Sequence, residues 1–169
     1  NKLIDYATSK FGNNEIGWPN VCYSVNTAVI LKETFLKKTN DIIIFGIGLH
    51  KSFVQSFLEE TMPPSQKKGY APVSATGQHE LIHNKTKFES GGKILGYELV
   101  SLYHGSFGCS WLCGNELEIE IKNKLNIIPN KNGFIDNFED SLKCTEFISR
   151  DDTSAEPGLW LPWLIIKYS

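Results

Sequence analysis

Gly91-Gly-Lys-Ile-Leu-Gly-Tyr-Glu-Leu-Val-Ser-Leu-Tyr-His-Gly-Ser-Phe-Gly-Cys-Ser-Trp-Leu-Cys113 reads as two strands joined by a tight turn. The first runs from about Lys93 to Tyr103 and is rich in Ile, Leu, Val and Tyr. His104-Gly-Ser supplies the positive φ that a short hairpin needs, and the second strand runs from about Phe107 to Cys113. Alternation puts Leu95, Tyr97 and Leu99 on one face and Ile94, Glu98, Val100 and Leu102 on the other. Both faces are mostly apolar, which predicts a hairpin in the middle of a sheet with something covering each side. Leu159-Trp-Leu-Pro-Trp-Leu-Ile-Ile-Lys-Tyr168 is almost wholly apolar and has the length of a buried strand, so it is the expected third partner. Pro162 cannot donate to a ladder, which places the first part of that segment at an edge or a bulge.

Working outward, Asp41 to Ile47 is a strand, and Leu49 to Thr61 a helix with Phe53, Val54, Phe57 and Leu58 on one side, stopped by Pro63-Pro64. Leu3 to Phe11 reads as a short helix ended by Gly12-Asn-Asn, and Gly17-Trp-Pro-Asn20 as a turn. Ser24 is positioned to cap a second helix, against which the β-branched Thr27, Val29 and Ile30 argue. Ser65 to Gly92 is irregular, with Leu81-Ile82 its one apolar pair, and reads as a surface excursion. Glu116 to Lys122 alternates like a strand, yet Leu117, Ile121 and Leu125 form a helical stripe supported by i,i+4 pairs, and helix is the expected state. Pro129 to Gly133 is a turn, and Asp136 to Ser149 a last helix with Phe138, Leu142, Phe147 and Ile148 inward. No repeat or boundary is visible. The expectation is one α+β domain over residues 1–169, with a central, mainly antiparallel sheet and packed helices.

Apolar residues make up 41% of the 169 and charged residues 21%, which suits an ordinary globular core. No apolar run reaches the roughly 20 residues that span a bilayer, so no membrane partner is expected. The N-terminus carries no apolar signal core. Residues 1–90 hold ten lysines against eight acids, and residues 91–169 seven basic residues against eleven acids. Acid concentrates between Asp136 and Glu156, which argues against nucleic acid as a partner of this half. Its bland alternative is a solvated helix face. Cys22, Cys109, Cys113 and Cys144 form no C-x-x-C pair, and Cys109 and Cys113, four apart on a strand, share a face without reaching each other. They read as small buried residues in a reducing compartment.

His79-Glu-Leu-Ile-His83 matches H-E-x-x-H, the spacing that sets two imidazoles on one helical face for Zn²⁺ with the Glu activating a bound water. Its flanks, Gly77 and Asn84-Lys-Thr-Lys87, give no long apolar helix to hold ligands, and Thr86 stands where the extended motif has glycine. A third ligand would have to be Glu98 or His104. The expectation is therefore no metal and no cofactor, with His79, Glu80 and His83 kept as the alternative zinc-hydrolase reading. Phe45-Gly-Ile-Gly-Leu-His50 sits between strand and helix like a phosphate loop, but lacks the third glycine and the lysine, so a tight turn is expected. Aromatics cluster on the expected strands; most belong in a core, and Tyr103 and Phe107 near the hairpin turn are candidate partner anchors.

Gly92-Lys-Ile-Leu-Gly-Tyr-Glu-Leu, Cys109-Ser-Trp-Leu-Cys-Gly-Asn115, Asn130-Lys-Asn-Gly-Phe-Ile-Asp136 and Ala155-Glu-Pro-Gly-Leu-Trp-Leu-Pro-Trp163 together resemble the layout of bacterial polymorphic-toxin immunity proteins. These include the contact-dependent growth inhibition (CDI) immunity type. The likeness covers roughly Gly91 to Tyr168. It implies a cytoplasmic, non-catalytic protein that binds and neutralises a cognate toxin C-terminal domain, often a nuclease. A nuclease must hold a polyanion, so its active surface is expected to be basic, and its inhibitor gains on-rate and specificity from an acidic one. Asp136, Glu139, Asp140, Asp151, Asp152 and Glu156, with Tyr103 and Phe107, are the residues expected to face the toxin. Addition of a toxin strand to an open sheet edge is the other binding mode.

Overall fold

The most apolar segment of the chain takes the centre of the sheet. The computed structural model describes residues 5, 9–10, 16–17, 21–22, 24–35, 42–61, 79, 82–83, 90–103, 106–113 and 115–168. Its elements in chain order are β1 (Ile16–Gly17), β2 (Val21–Cys22), α1 (Val25–Phe35), β3 (Phe45–Leu49), a 3₁₀ turn (Lys51–Phe53), α2 (Val54–Glu60), β4 (Lys93–Tyr103), β5 (Ser106–Ser110), α3 (Asn115–Leu125), α4 (Phe138–Ile148) and β6 (Leu159–Lys167). Strands β3, β6, β4 and β5 lie in that order and pair antiparallel throughout, while β1 and β2 make a separate small hairpin. The architecture is α+β, as the alternation of long apolar strands with helical stripes predicts.

The expected hairpin is there, but only half of it is central. β4 pairs with β6 along its whole length, from Lys93↔Lys167 to Leu102↔Leu159, whereas β5 is five residues long and forms the edge. β6 can occupy the middle because it is apolar on both faces. Leu161, Trp163 and Ile165 enter one core with Phe57, Leu102 and Phe107, and Trp160 enters the other with Leu99, Trp111, Ile121, Cys144 and Ile148. Helices α3 and α4 cover that second face, and α2 the first. Pro162 is buried opposite Leu99. The Leu99 carbonyl accepts from the Trp111 N–H on the β5 side at 2.9 Å, so Leu99 and Pro162 are a non-hydrogen-bonded pair. The proline nitrogen thus points away from β4, to the side where β3 has already ended at Leu49↔Trp163.

Strict alternation misplaces Leu95. The β4–β6 register shifts between Ile94 and Gly96, and Gly96 holds a φ of +135° that an L side chain rarely adopts. This bulge turns Leu95 onto the face of Val100 and Leu102, and leaves Tyr97 and Leu99 on the other. It also draws in the 130–136 turn. Tyr97 and Ile135 exchange both backbone hydrogen bonds, at 2.8 and 2.9 Å, continuing the sheet past the end of β5. Asn130 wires the turn: its Nδ2 donates to the Leu95 carbonyl at 2.9 Å, and its Oδ1 accepts from the N–H of Asn132 at 2.9 Å and of Phe134 at 3.3 Å.

Other boundaries moved for local reasons. β3 runs to Leu49, so Gly46 and Gly48 are strand residues paired with Ile166 and Leu164 rather than a phosphate loop or a turn. A Cβ on Gly46 would stand 2.6 Å from the Tyr168 ring, which is why a strand position takes glycine. His50 then caps the 3₁₀ turn, its Nδ1 at 2.7 Å from Ser52 Oγ and 3.3 Å from the Ser52 N–H. Helix α1 forms despite its β-branched residues, because Ser24 Oγ accepts the Thr27 N–H at 3.0 Å and Thr27 and Leu31 are buried. Helix α3 forms with Leu117 and Ile121 buried, as its stripe predicts. Of the short helix expected at Leu3 to Phe11, Asp5, Ser9 and Lys10 are described and are helical; its other residues, the turn residues 18–20, the Pro63-Pro64 stop and most of the 65–89 excursion lie outside the described residues.

Candidate functional site

The acidic residues are held by α4 and its two ends. Asn137, with φ −133° and ψ 161°, caps the helix by accepting the Asp140 N–H at 2.8 Å. Asp140 is itself engaged: Lys143 Nζ donates to it at 2.7 Å and Asn137 Nδ2 at 2.9 Å, and these two contacts hold its carboxyl below the usual range. Asp136 is exposed and accepts from Asn130 Nδ2 at 2.7 Å. Glu139 is exposed, and its charge adds to burial in pushing the Tyr97 hydroxyl up. Beyond the helix, Thr153 Oγ1 shares its one proton between the carbonyls of Ile148 and Arg150, both at 3.1 Å, and the turn it closes presents Asp151 and Asp152 to solvent.

An eleven-residue helix is about 16 Å long. The structure therefore divides the six carboxylates. Asp136, Glu139 and Asp140 gather at the N-terminal end beside Tyr97, and Asp151, Asp152 and Glu156 follow its C-terminal end. Tyr103, 54% exposed, ends β4 at the side where β6 begins, since Leu102 pairs with Leu159. It therefore lies toward the Glu156 end of the sheet. Phe107 is half-buried, with its ring edge-on to Trp163 at 5.6 Å, and is packed as a core residue.

The metal motif is placed less favourably. His79 and His83 are helical, and Ile82 between them packs into the core beside Phe57. The Thr61 hydroxyl gives its one proton to the Phe57 carbonyl at 2.7 Å, so the His79 Nδ1–H is the donor in the 2.8 Å contact to Thr61 Oγ1. This ties the segment to the end of α2. Glu80 and His104 lie outside the described residues, and Glu98 is occupied on β4 by the Ser110 hydroxyl, which donates to it. Burial pushes the Glu98 carboxyl up, partly offset by Ser110 and by the Trp111 indole, which stands near without reaching hydrogen-bond geometry. Among the described residues, no group of three His, Cys, Asp or Glu side chains could hold a metal ion.

One arrangement was not legible in the sequence. The expected strand from Phe107 to Cys113 stops at Ser110, because the Cys113 N–H turns back to the Ser110 carbonyl at 2.9 Å and the Leu112 N–H bonds Ser110 Oγ at 3.1 Å. The reading of four buried cysteines holds for Cys144 alone: Cys22 and Cys109 are half-buried and Cys113 is exposed. The turn also brings Cys113 back to Cys109, which strict strand geometry would keep apart. Both line a cavity of about 420 Å³ with Trp111, Glu116, Glu156 and Trp160 among its walls. Among the described residues no helix is long and apolar enough to cross a membrane. No family model matches the chain, and neither a curated protein nor a solved structure does.

Proposed function

We propose that this chain is an immunity protein, a stoichiometric inhibitor that binds a cognate toxin C-terminal domain in the cytoplasm, the toxin being a nuclease. The layout over Gly91 to Tyr168 motivates the class. The observation that carries the binding mode is that Asp136, Glu139, Asp151, Asp152 and Glu156 all face solvent from a helix and turn packed on the sheet. Fixed carboxylates of this kind steer a basic partner, raising its association rate by 10- to 10³-fold.

The test reverses Asp136, Glu139, Asp151 and Asp152 to Lys together, leaving Asp140 to its cap and ion pair. Association with the cognate toxin domain is measured at 0.1 M and 0.5 M salt. Charge-led binding predicts a loss of at least about tenfold in rate for the variant, and a marked loss for the parent at high salt, where the Debye length falls well below about 10 Å. Equal rates for parent and variant would remove the acidic surface from the interface. A second mode has its own support. The outer edge of β3 has no strand partner among the described residues, and Ile43, Phe45 and Ile47 are 44%, 52% and 43% exposed along it. A toxin strand added there would be held by backbone bonds and would bind with little salt dependence.

A further inference from the structure

The cavity beside α3 has an unusual wall. Cys109 and Cys113 line it together, separated by the turn that closes from the Cys113 N–H to the Ser110 carbonyl. Both partners are held in place. Ser101 Oγ accepts the Cys109 N–H at 2.9 Å and donates to the Cys109 carbonyl at 3.3 Å, within the register shift between β4 and β5. Cys113 Sγ accepts the Ser110 N–H at 3.3 Å, which folds its sulfur inward over the turn. The two cysteines differ in access, Cys113 being exposed and Cys109 half-buried. The remaining cysteines are placed otherwise: Cys144 is fully buried in the core under α4, and Cys22 lies on β2.

The geometry points to Cys109 and Cys113 as a reversible dithiol–disulfide site, closed by a peroxide oxidant. Neighbouring side chains support the division of labour. The Glu156 carboxylate first, then burial and the Cys113 side chain, push the Cys109 thiol up to about 11, so little of it is thiolate at neutral pH; with Cys113 the exposed partner, Cys109 suits the resolving role. Cys113 attacks hydrogen peroxide as its thiolate. A sulfur–oxygen bond forms, the O–O bond breaks, and hydroxide leaves, making Cys113 a sulfenic acid. The Cys109 sulfur then attacks the Cys113 sulfur. The S–S bond forms, the S–O bond breaks, and the departing oxygen takes the Cys109 proton and leaves as water. In sum, two thiols and one hydrogen peroxide give one disulfide and two waters, with sulfur oxidised and peroxide oxygen reduced. A dithiol reductant reverses the bond by exchange. Closure cross-links the wall of the cavity just before α3 begins.

The experiment treats the reduced chain with one equivalent of hydrogen peroxide, then counts thiols in denaturant and maps the products by mass spectrometry. The expected result is that four free thiols fall to two, the intact mass drops by about 2 Da for the two hydrogens lost, and a Cys109–Cys113 cross-linked peptide appears. Dithiothreitol restores all four thiols, and Cys22→Ser/Cys144→Ser behaves like the parent. Cys109→Ser, which cannot close the bond, should instead accumulate a Cys113 sulfenic acid captured by dimedone. Four surviving thiols, a bond involving Cys22 or Cys144, or a Cys109→Ser variant with no captured sulfenic acid would each overturn the assignment.

Discussion

Gly96→Ala is the substitution whose cost the structure specifies most closely. The residue has φ +135°, and a Cβ there would stand 2.5 Å from the Ile135 carbonyl oxygen and 2.7 Å from Phe134 Cβ. Holding a side chain in so sparsely populated a backbone conformation costs about 1–3 kcal/mol. The 130–136 turn must also retreat, which breaks the Tyr97–Ile135 pair and strains the Asn130 contact to the Leu95 carbonyl. Each net hydrogen bond lost adds about 0.5–1.5 kcal/mol. Summed over the conformation and the two Tyr97–Ile135 bonds, the loss is about 2–6 kcal/mol, a large share of an ordinary domain's stability. Gly91→Ala is the control, since Gly91 has φ +92° but nothing within 4 Å of its Cβ position. It should lose only the conformational part, about 1–3 kcal/mol. Urea unfolding of parent and both variants, with equal m-values, isolates the contact term. A Gly96→Ala variant within about 0.5 kcal/mol of Gly91→Ala would refute the reasoning, because the turn would then not be seated against the bulge.

Trp111→Ala should destabilise by about 3–5 kcal/mol, because the indole is fully buried between β4, α3 and α4; a thermal midpoint within a degree or two of the parent would place the core elsewhere. Glu98→Gln should stabilise the chain at neutral pH. The folded carboxyl titrates above its ordinary value of 4.5, so the folded state binds more protons than the unfolded one, and this group's contribution to stability falls as pH rises from about 4.5 toward neutrality. Gln keeps an acceptor for the Ser110 hydroxyl, and denaturant midpoints at pH 4.5 and pH 7 should show a weaker decline for the variant; an equal decline in both would assign it to other groups.

How much of this was readable depended on whether a feature is written in side-chain periodicity. The unbroken apolar run from Leu159 to Ile166 announced a strand buried on both faces, and the stripe of Leu117, Ile121 and Leu125 outweighed the strand-like alternation of the same residues. The bulge at Gly96 was not readable, since it is set by the arrival of Ile135 from about forty residues away in sequence, and it reverses the face of Leu95. Gly46 and Gly48 read as a loop in the sequence, whereas both are strand residues, and the missing side chain of Gly46 makes room for a distant ring, Tyr168. At the candidate site, composition singles out the acids but says nothing of the helix length that divides them or of the Lys143 pair that engages Asp140. Cys113 is exposed because β5 ends three residues early at a turn fixed by Ser110, while Phe107, inside β5, packs on Trp163 rather than facing solvent.

The central claim, inhibition by one-to-one binding, is tested most directly by titrating the chain into a purified candidate nuclease-toxin domain and following residual nuclease activity. At toxin concentrations well above the dissociation constant, the account predicts a linear fall to zero activity at one equivalent of this chain. Activity that persists at a tenfold excess, or that falls at far less than one equivalent as turnover of the toxin would require, would contradict it.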